Sequence, residues 1–206
     1  MKTLAILSQK GGAGKTTLAL HLAVAAVQAK RQVAVVDLDP QASAIGWKDS
    51  RSQETPVVVF APPARLAQIL DTAKQSGADL AILDTAPHSE STALAAARAA
   101  DLILIPCRPA ILDLRAISFS VDVAKLASKP AVVVLNAVPS RGNLSEEATS
   151  AIACYGVEVA PISLGHRAAS VHALTAGQVA QEYEIRGKAA KEIKGLYMWI
   201  CKRINL

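Results

Sequence analysis

The sequence predicts an α/β fold: a doubly wound, mostly parallel sheet with helices on both faces. Short apolar runs alternate with longer amphipathic ones from end to end, the order of repeated βα units. Most of the short runs are β-branched and uncharged inside, as strands covered on both faces require. Three of them end in residues fit for chemistry, where open α/β sheets collect their ligands.

Taken in order, the strands fall on "TLAILS" (3–8), "QVAVVD" (32–37), "PVVVF" (56–60), "DLAILD" (79–84), "DLILIP" (101–106), "AVVVLN" (131–136) and "VEVAP" (157–161). Helical stretches between them include "KTTLALHLAVAAVQAK" (15–30), "PARLAQILDTAKQ" (63–75) and "LDLRAISFSVDVAKLA" (112–127). "GKAAKEIKGLYMWICKRI" (187–204) reads as one last helix. No linker, repeat or low-complexity tract interrupts the series, so residues 1–206 are expected to form one domain.

Composition narrows the classes. With 51% hydrophobic and 19% charged residues the chain is not disordered, and with 3% aromatics its core is built from Ala, Val, Leu and Ile. Cys107, Cys154 and Cys201 form no C-x-x-C pair, which points to reduced thiols rather than a zinc site or a disulfide. The apolar start "MKTLAILSQKGG" meets polar residues and glycines before a secretory core can develop. No apolar stretch reaches the roughly 20 residues that span a bilayer. The expectation is a soluble, cytoplasmic protein.

The net charge of +5 is unevenly placed. Residues 165–206 carry seven Lys/Arg against three Glu, a net of +4, which leaves +1 for the first 164 residues. Such a run is commonly a solvated helix face, and it also suits an anionic partner.

The first strand runs into "SQKGGAGKTT" (8–17), a phosphate-binding loop whose glycines let backbone N–H groups face phosphate oxygens at a helix N-terminus. Lys15 is placed for the β- and γ-phosphates and the Thr16 hydroxyl for magnesium. "VVDLDPQ" (35–41) sets Asp37 and Asp39 just past a strand, as metal and water ligands or, for Asp39-Pro40, as a turn start. "LAILDTAP" (80–87) ends its strand in Asp84, the expected Walker-B carboxylate of the metal shell. Lys10 is one lysine more than such a loop needs.

Together "KGGAGKTT", "VVDLDPQAS", "LAILDTAP" and "RPAILDLRA" (108–116) resemble the ParA group of the ParA/MinD deviant-Walker P-loop ATPases, over nearly the whole chain and in the family's order. The resemblance implies slow, Mg2+-dependent ATP hydrolysis, an ATP-bridged homodimer, and Lys10 as the lysine that reaches the partner subunit's phosphates. An isologous interface holding two ATPs must neutralise concentrated negative charge, and a lysine in trans does so. By the same resemblance the catalytic set is Lys10, Lys15 and Asp39, and the metal set is Thr16, Asp37 and Asp84. The nucleotide would lie on Gly11, Gly12, Ala13, Gly14, Lys15, Thr16 and Thr17. Asn136 stands where the family contacts adenine, although it also suits an ordinary strand-end turn.

"RPAILDLRA" resembles the segment lining the dimer interface; Asp113 and Arg115 offer instead an ion pair within their helix. Arg167, in "LGHRAASVHAL" (164–174), resembles an arginine that contacts DNA in chromosomal members. Lys188, Lys191 and Lys194, three residues apart, would project together and join it. The implied function is non-specific DNA binding by the ATP dimer, on the nucleoid, with a ParB-like or cargo-adaptor protein that stimulates hydrolysis and release. The cargo is a plasmid, a chromosome or a protein body.

A MinD-like membrane cycle is the alternative, drawn from Leu196, Trp199, Ile200 and Ile204 beside Lys202 and Arg203 in the last helix. The same spacing serves a helix packed on the sheet. Iron–sulfur carriers share the loop, but the three scattered cysteines do not supply their paired thiols.

Overall fold

A computed structural model describes residues 1–206. The strands are β1 (Lys2–Ile6), β2 (Val33–Asp37), β3 (Val57–Phe60), β4 (Leu80–Asp84), β5 (Leu102–Cys107), β6 (Ala131–Leu135) and β7 (Glu158–Val159). They form one seven-stranded sheet in the order β3-β2-β4-β1-β5-β6-β7, parallel throughout. The helices are α1 (Lys15–Gln28), α2 (Ser43–Asp49), α3 (Leu66–Gln75), α4 (Glu90–Ala99), α5 (Ile111–Leu126), α6 (Leu144–Ala153), α7 (Ala168–Thr175), α8 (Ala180–Tyr183) and α9 (Lys188–Ile204).

Period-two alternation divides the core. Leu4, Ile6, Val33, Val35, Ile82 and Leu104 point to the layer holding α1 and α9. Ala5, Leu7, Val36, Leu83, Ile103 and Ile105 point to the layer holding α4, α5 and α6. Both layers are closed by small aliphatic side chains, such as Ala19, Ala23 and Ala26 on α1 and Ala93, Ala96 and Ala97 on α4. Helices rich in alanine approach a sheet closely, which is how a core with so few aromatics stays dense.

Two strands are less than their patterns suggest. "PVVVF" is as apolar as an inner strand, yet β3 is the sheet's edge, with Val57 53% and Phe60 48% exposed. "VEVAP" shortens to the two residues of β7 at the other edge, between Gly156 at φ 66 and Pro161. The stretch from Pro63 opens as a 3-10 turn over Pro63–Arg65 before α3 begins.

The last helix packs its apolar face inward. Leu196, Ile200 and Ile204 are at most 5% exposed and Trp199 packs against them in the α1 layer. The apolar face proposed for a membrane is spent on the core. No helix is long and apolar enough to cross a membrane.

The strand order reverses around β1, with β4 on one side and β5 on the other. Loops from the carboxyl ends of β1, β2, β4, β5 and β6 therefore meet at one rim. Ile6, Asp84 and Asp37 are in register across β1, β4 and β2, so both strand-end carboxylates stand beside the glycine loop.

Candidate nucleotide site

Between β1 and α1 the chain turns through the left-handed region at Gly12 (φ 73) and Gly14 (φ 94). Gly14 has a second constraint: a Cβ there would stand 2.2 Å from Nδ2 of Asn136. The loop carbonyls are tied back, because Asn136 Nδ2 donates to the Ala13 carbonyl at 2.9 Å and the Arg108 guanidinium donates to that of Gly12. The N–H groups of residues 11–17 make no hydrogen bond within the chain; the first closed helical bond runs from Leu18 N–H to the Gly14 carbonyl. Free N–H groups at the positive end of a 14-residue helix form an anion cradle.

Lys15 opens that helix and is buried, with Nζ only distantly near the Lys10 carbonyl at 3.5 Å. Burial pushes its pKa down, and the carboxylates of Asp84 and Asp39 push back. Asp84 is 0% exposed, and neither of its oxygens closes a hydrogen bond. Burial drives its pKa up to about 7. The Thr16 hydroxyl and the Lys15 ammonium lower it, and Asp37 and Asp39 raise it. The Thr16 hydroxyl is thus near Asp84 without a bond of good geometry. A fully buried carboxylate left without donors is a place for a cation or a metal-bound water.

Asp37 differs. Its Oδ1 accepts the Asp39 N–H at 3.0 Å and its Oδ2 the Ala44 N–H at 2.9 Å, so it ties the β2 loop to the first turn of α2. Burial raises its pKa while those N–H groups oppose the rise. Asp39 is half-buried, and its Oδ1 accepts the Gln41 N–H at 2.9 Å in a turn of the kind Asp-Pro invites. No three His, Cys, Asp or Glu side chains converge on a metal position.

Lys10 does not enter its own loop. Its Nζ pairs with Asp113 Oδ2 at 2.5 Å, with the lysine side chain 39% and the aspartate 7% exposed. Asp113 does not pair with Arg115 on its own helix, because its carboxylate is taken by Lys10. Beside this pair α5 opens with two apolar side chains in solvent, Ile111 at 63% and Leu112 at 66%.

From the glycine loop a cleft of about 340 Å³ leads away past Asn136 to the Gly165–Arg167 segment and the inner face of α9. Its size lies in the range of small-molecule sites. Arg167 stands in its wall, with the guanidinium 2.6 Å from Glu192 Oε1 on α9. Lys188, Lys191 and Lys194 lie on the exposed side of α9, away from that wall. Arg167 and the three lysines thus border the same helix from different sides.

Three contributors escaped the sequence. Arg108 lies within "RPAILDLRA", but nothing local shows that it reaches Gly12. Glu192 reads as one charge in a mixed run. His21 lies in the cleft floor, 1% exposed, with Nδ1 2.7 Å from the Thr17 carbonyl and Nε2 accepting the Ala180 N–H at 3.1 Å. Its signal was an imidazole inside an otherwise apolar helix.

Comparison with known proteins agrees with this geometry. The CobQ/CobB/MinD/ParA nucleotide binding domain matches residues 4–177. The Maintenance of carboxysome distribution protein A of Gloeobacter kilaueensis is 33% identical over 213 residues, covering 99% of this chain and 94% of that protein. Among solved structures, apo McdA of Cyanothece superposes with a TM-score of 0.79 at 18% identity, over 97% of this chain and 99% of the other. The septum site-determining protein MinD of Pyrococcus horikoshii, complexed with Mg-ADP, gives 0.78 at 20% identity over 98% and 96%. A loop, two strand-end carboxylates and a family match spanning most of the sheet converge on one assignment: the chain belongs to the CobQ/CobB/MinD/ParA nucleotide-binding family, as a ParA-type deviant-Walker ATPase.

Proposed function

We propose that residues 1–206 form a single Mg2+-dependent ATPase domain that dimerises on ATP, holds DNA without reading its sequence, and positions a cargo. The observation that carries this reading is the placement of Lys10. A loop lysine meant for its own nucleotide would be buried beside the cradle, and Lys15 is buried at the start of α1. Lys10 instead stands at the rim, partly exposed, beside the solvent-facing Ile111 and Leu112. A cation and an apolar pair at the mouth of a phosphate site suit an isologous contact across two nucleotides.

In this reading the N–H groups of Gly11, Gly12, Ala13, Gly14, Lys15, Thr16 and Thr17 hold the phosphates. Lys15 neutralises the β- and γ-phosphates, and Asn136 faces the base. The donors present fit magnesium: the Thr16 hydroxyl and the unpartnered Asp84 carboxylate offer few protein oxygens, and such sites complete their shell with phosphate and water. Asp37 holds the β2 loop and keeps lone pairs for a metal-bound water. Magnesium, when bound, supplies charge neutralisation at the phosphates. Asp39, half-buried at the rim, orients the attacking water, and Lys10 from the partner subunit stabilises charge on the transferred group.

Lys188, Lys191 and Lys194 supply the cationic row for DNA, which the dimer doubles. A stimulating adaptor then triggers hydrolysis and release. The similarity to carboxysome-distribution proteins supports a protein body as cargo, with a plasmid or chromosome as the other loads this engine moves. Binding of the purified protein to mixed-sequence DNA and to anionic liposomes, with ADP and with a slowly hydrolysed ATP analogue, tests the reading. DNA binding that needs the ATP analogue and falls with salt is expected. Liposome binding without DNA binding would replace it with a membrane cycle.

A further inference from the structure

The cleft has two ends of different chemistry. One is the phosphate cradle, with free N–H groups and a buried lysine. At the other, Arg167 is folded back over Gly165, so closely that a Cβ on that glycine would stand 2.7 Å from the guanidinium. Glu192 holds both parts of this turn at once: Oε2 accepts the Gly165 N–H at 2.9 Å and Oε1 accepts from Arg167 Nη2 at 2.6 Å. One carboxylate thus fixes the backbone and the side chain as a unit. The Arg167 Nε–H, buried, has no acceptor in the chain.

A guanidinium carries five N–H donors, and a buried donor without an acceptor is costly unless a ligand or water meets it. The ion pair also cancels the arginine's charge. What it offers the cleft is therefore directional N–H donors without net positive charge, a poor phosphate clamp and a good partner for neutral oxygen and nitrogen acceptors. In a nucleotide those are the ribose hydroxyls and the ring nitrogens of the base.

We propose that Arg167 is a nucleotide-binding residue that donates to the nucleoside end of the ligand, opposite Asn136, and that Glu192 is its positioning residue. The assignment rests on the nucleotide reading of the site and takes Arg167 out of the DNA-contacting row. Glu192 needs no contact with the ligand. Its work is to hold the guanidinium against Gly165, in the wall of the cleft.

Calorimetry with ATP, ADP and inorganic tripolyphosphate separates the two ends. Arg167→Ala should weaken ATP and ADP alike by tenfold or more and leave tripolyphosphate at its wild-type affinity, which also certifies the fold. Glu192→Ala should show the same selective loss. The Arg167→Ala/Glu192→Ala double variant should be no weaker than Arg167→Ala alone, because the two residues act as one unit. Lys15→Ala, in contrast, should lose all three ligands. Wild-type ATP affinity in Arg167→Ala, equal loss of ATP and tripolyphosphate, or full additivity in the double variant would each overturn the assignment. So would loss of DNA binding by Arg167→Ala at saturating nucleotide, which would return Arg167 to the DNA surface. A wild-type protein that binds tripolyphosphate but not ATP would overturn the nucleotide reading itself, a different result from any of these.

Discussion

His21 makes the protein acid-sensitive in a window that can be calculated. The imidazole is held neutral: Nδ1–H donates to the Thr17 carbonyl and Nε2 accepts the Ala180 N–H, so a second proton would point at a donor. Burial lowers its pKa from 6.5 to about 4; the Thr17 carbonyl and the Glu182 charge only partly oppose this. The unfolded chain therefore takes up a proton near pH 6.5 that the folded protein refuses until about pH 4. Below 6.5 the unfolded state binds more protons, so stability falls as pH falls, and the loss levels off below the folded pKa.

At about 1.4 kcal/mol per unit the full penalty is ~3 kcal/mol, of which ~2.5 kcal/mol is present by about pH 4.5. His21→Gln removes the titration while keeping an oxygen able to accept the Ala180 N–H. At neutral pH the variant should be less stable by ~1–3 kcal/mol, for a lost hydrogen bond and imperfect filling. Towards pH 4.5 that deficit should shrink by ~2.5 kcal/mol, since every other titration is common to both proteins. Urea unfolding of the pair across this range gives the difference directly, and the imidazole C–H resonance gives the pKa. A resonance that titrates near 6.5, or equal pH slopes in the two proteins, would refute the reasoning.

Three further outcomes are expected. Lys10→Ala should still bind nucleotide, yet dimerise weakly and lose partner-stimulated turnover by about 10³-fold or more, the scale of a charge supplied in trans; size-exclusion chromatography and phosphate release measure both. Lys191→Glu with Lys194→Glu should nearly abolish DNA binding while sparing ATP-driven dimerisation, and in the wild type each phosphate contact should add about −0.9 to the slope of log affinity against log salt. Glu182→Ala should cost ~3–5 kcal/mol in chemical denaturation, because it strands an Arg51 guanidinium that is only 2% exposed.

The sheet was legible because parallel strands buried on both faces must be continuous apolar runs, and "DLAILD" or "DLILIP" has no other use. The edges were harder for the same reason. "PVVVF" carries an inner strand's pattern, and only topology shows that nothing pairs beyond β3. Within the site, the glycine loop was readable from Gly-Lys-Thr-Thr set between a strand and a helix, since the loop's geometry is local. Lys10 was recognisable as surplus, while its partner Asp113, 103 residues on, depends on how α5 leaves β5. The Arg167–Glu192 pair was hidden in the same way: the two residues are 25 apart in sequence, and only the fold brings them together.

What remained illegible has a common cause, which lies in how the cleft is closed. Its phosphate end comes from the first 17 residues, and its far wall from α7 and α9 near the chain's other end. Nothing in a local pattern says that these must meet. The structure joins them with polar contacts of very long range. His21 receives the Ala180 N–H, Gln181 Nε2 donates to the His21 carbonyl at 2.7 Å, and Trp47 Nε1 donates to the Gln178 carbonyl at 3.0 Å. Arg51 grips Glu182 through two bonds of 2.9 and 2.7 Å, adds the Gly177 carbonyl at 2.9 Å, and lies over the Trp47 ring. Gly177 is required there, because a Cβ would stand 2.3 Å from the Ser50 carbonyl oxygen. Apolar packing alone would hold α7 and α8 against α1 and α2 with little preference for register. Directional bonds to buried groups permit one register, since any slip leaves a guanidinium, an imidazole and an indole N–H unpaired at once. The short α8, only four residues long, therefore fixes α1 relative to the far wall, and with it the distance between the cradle and Arg167.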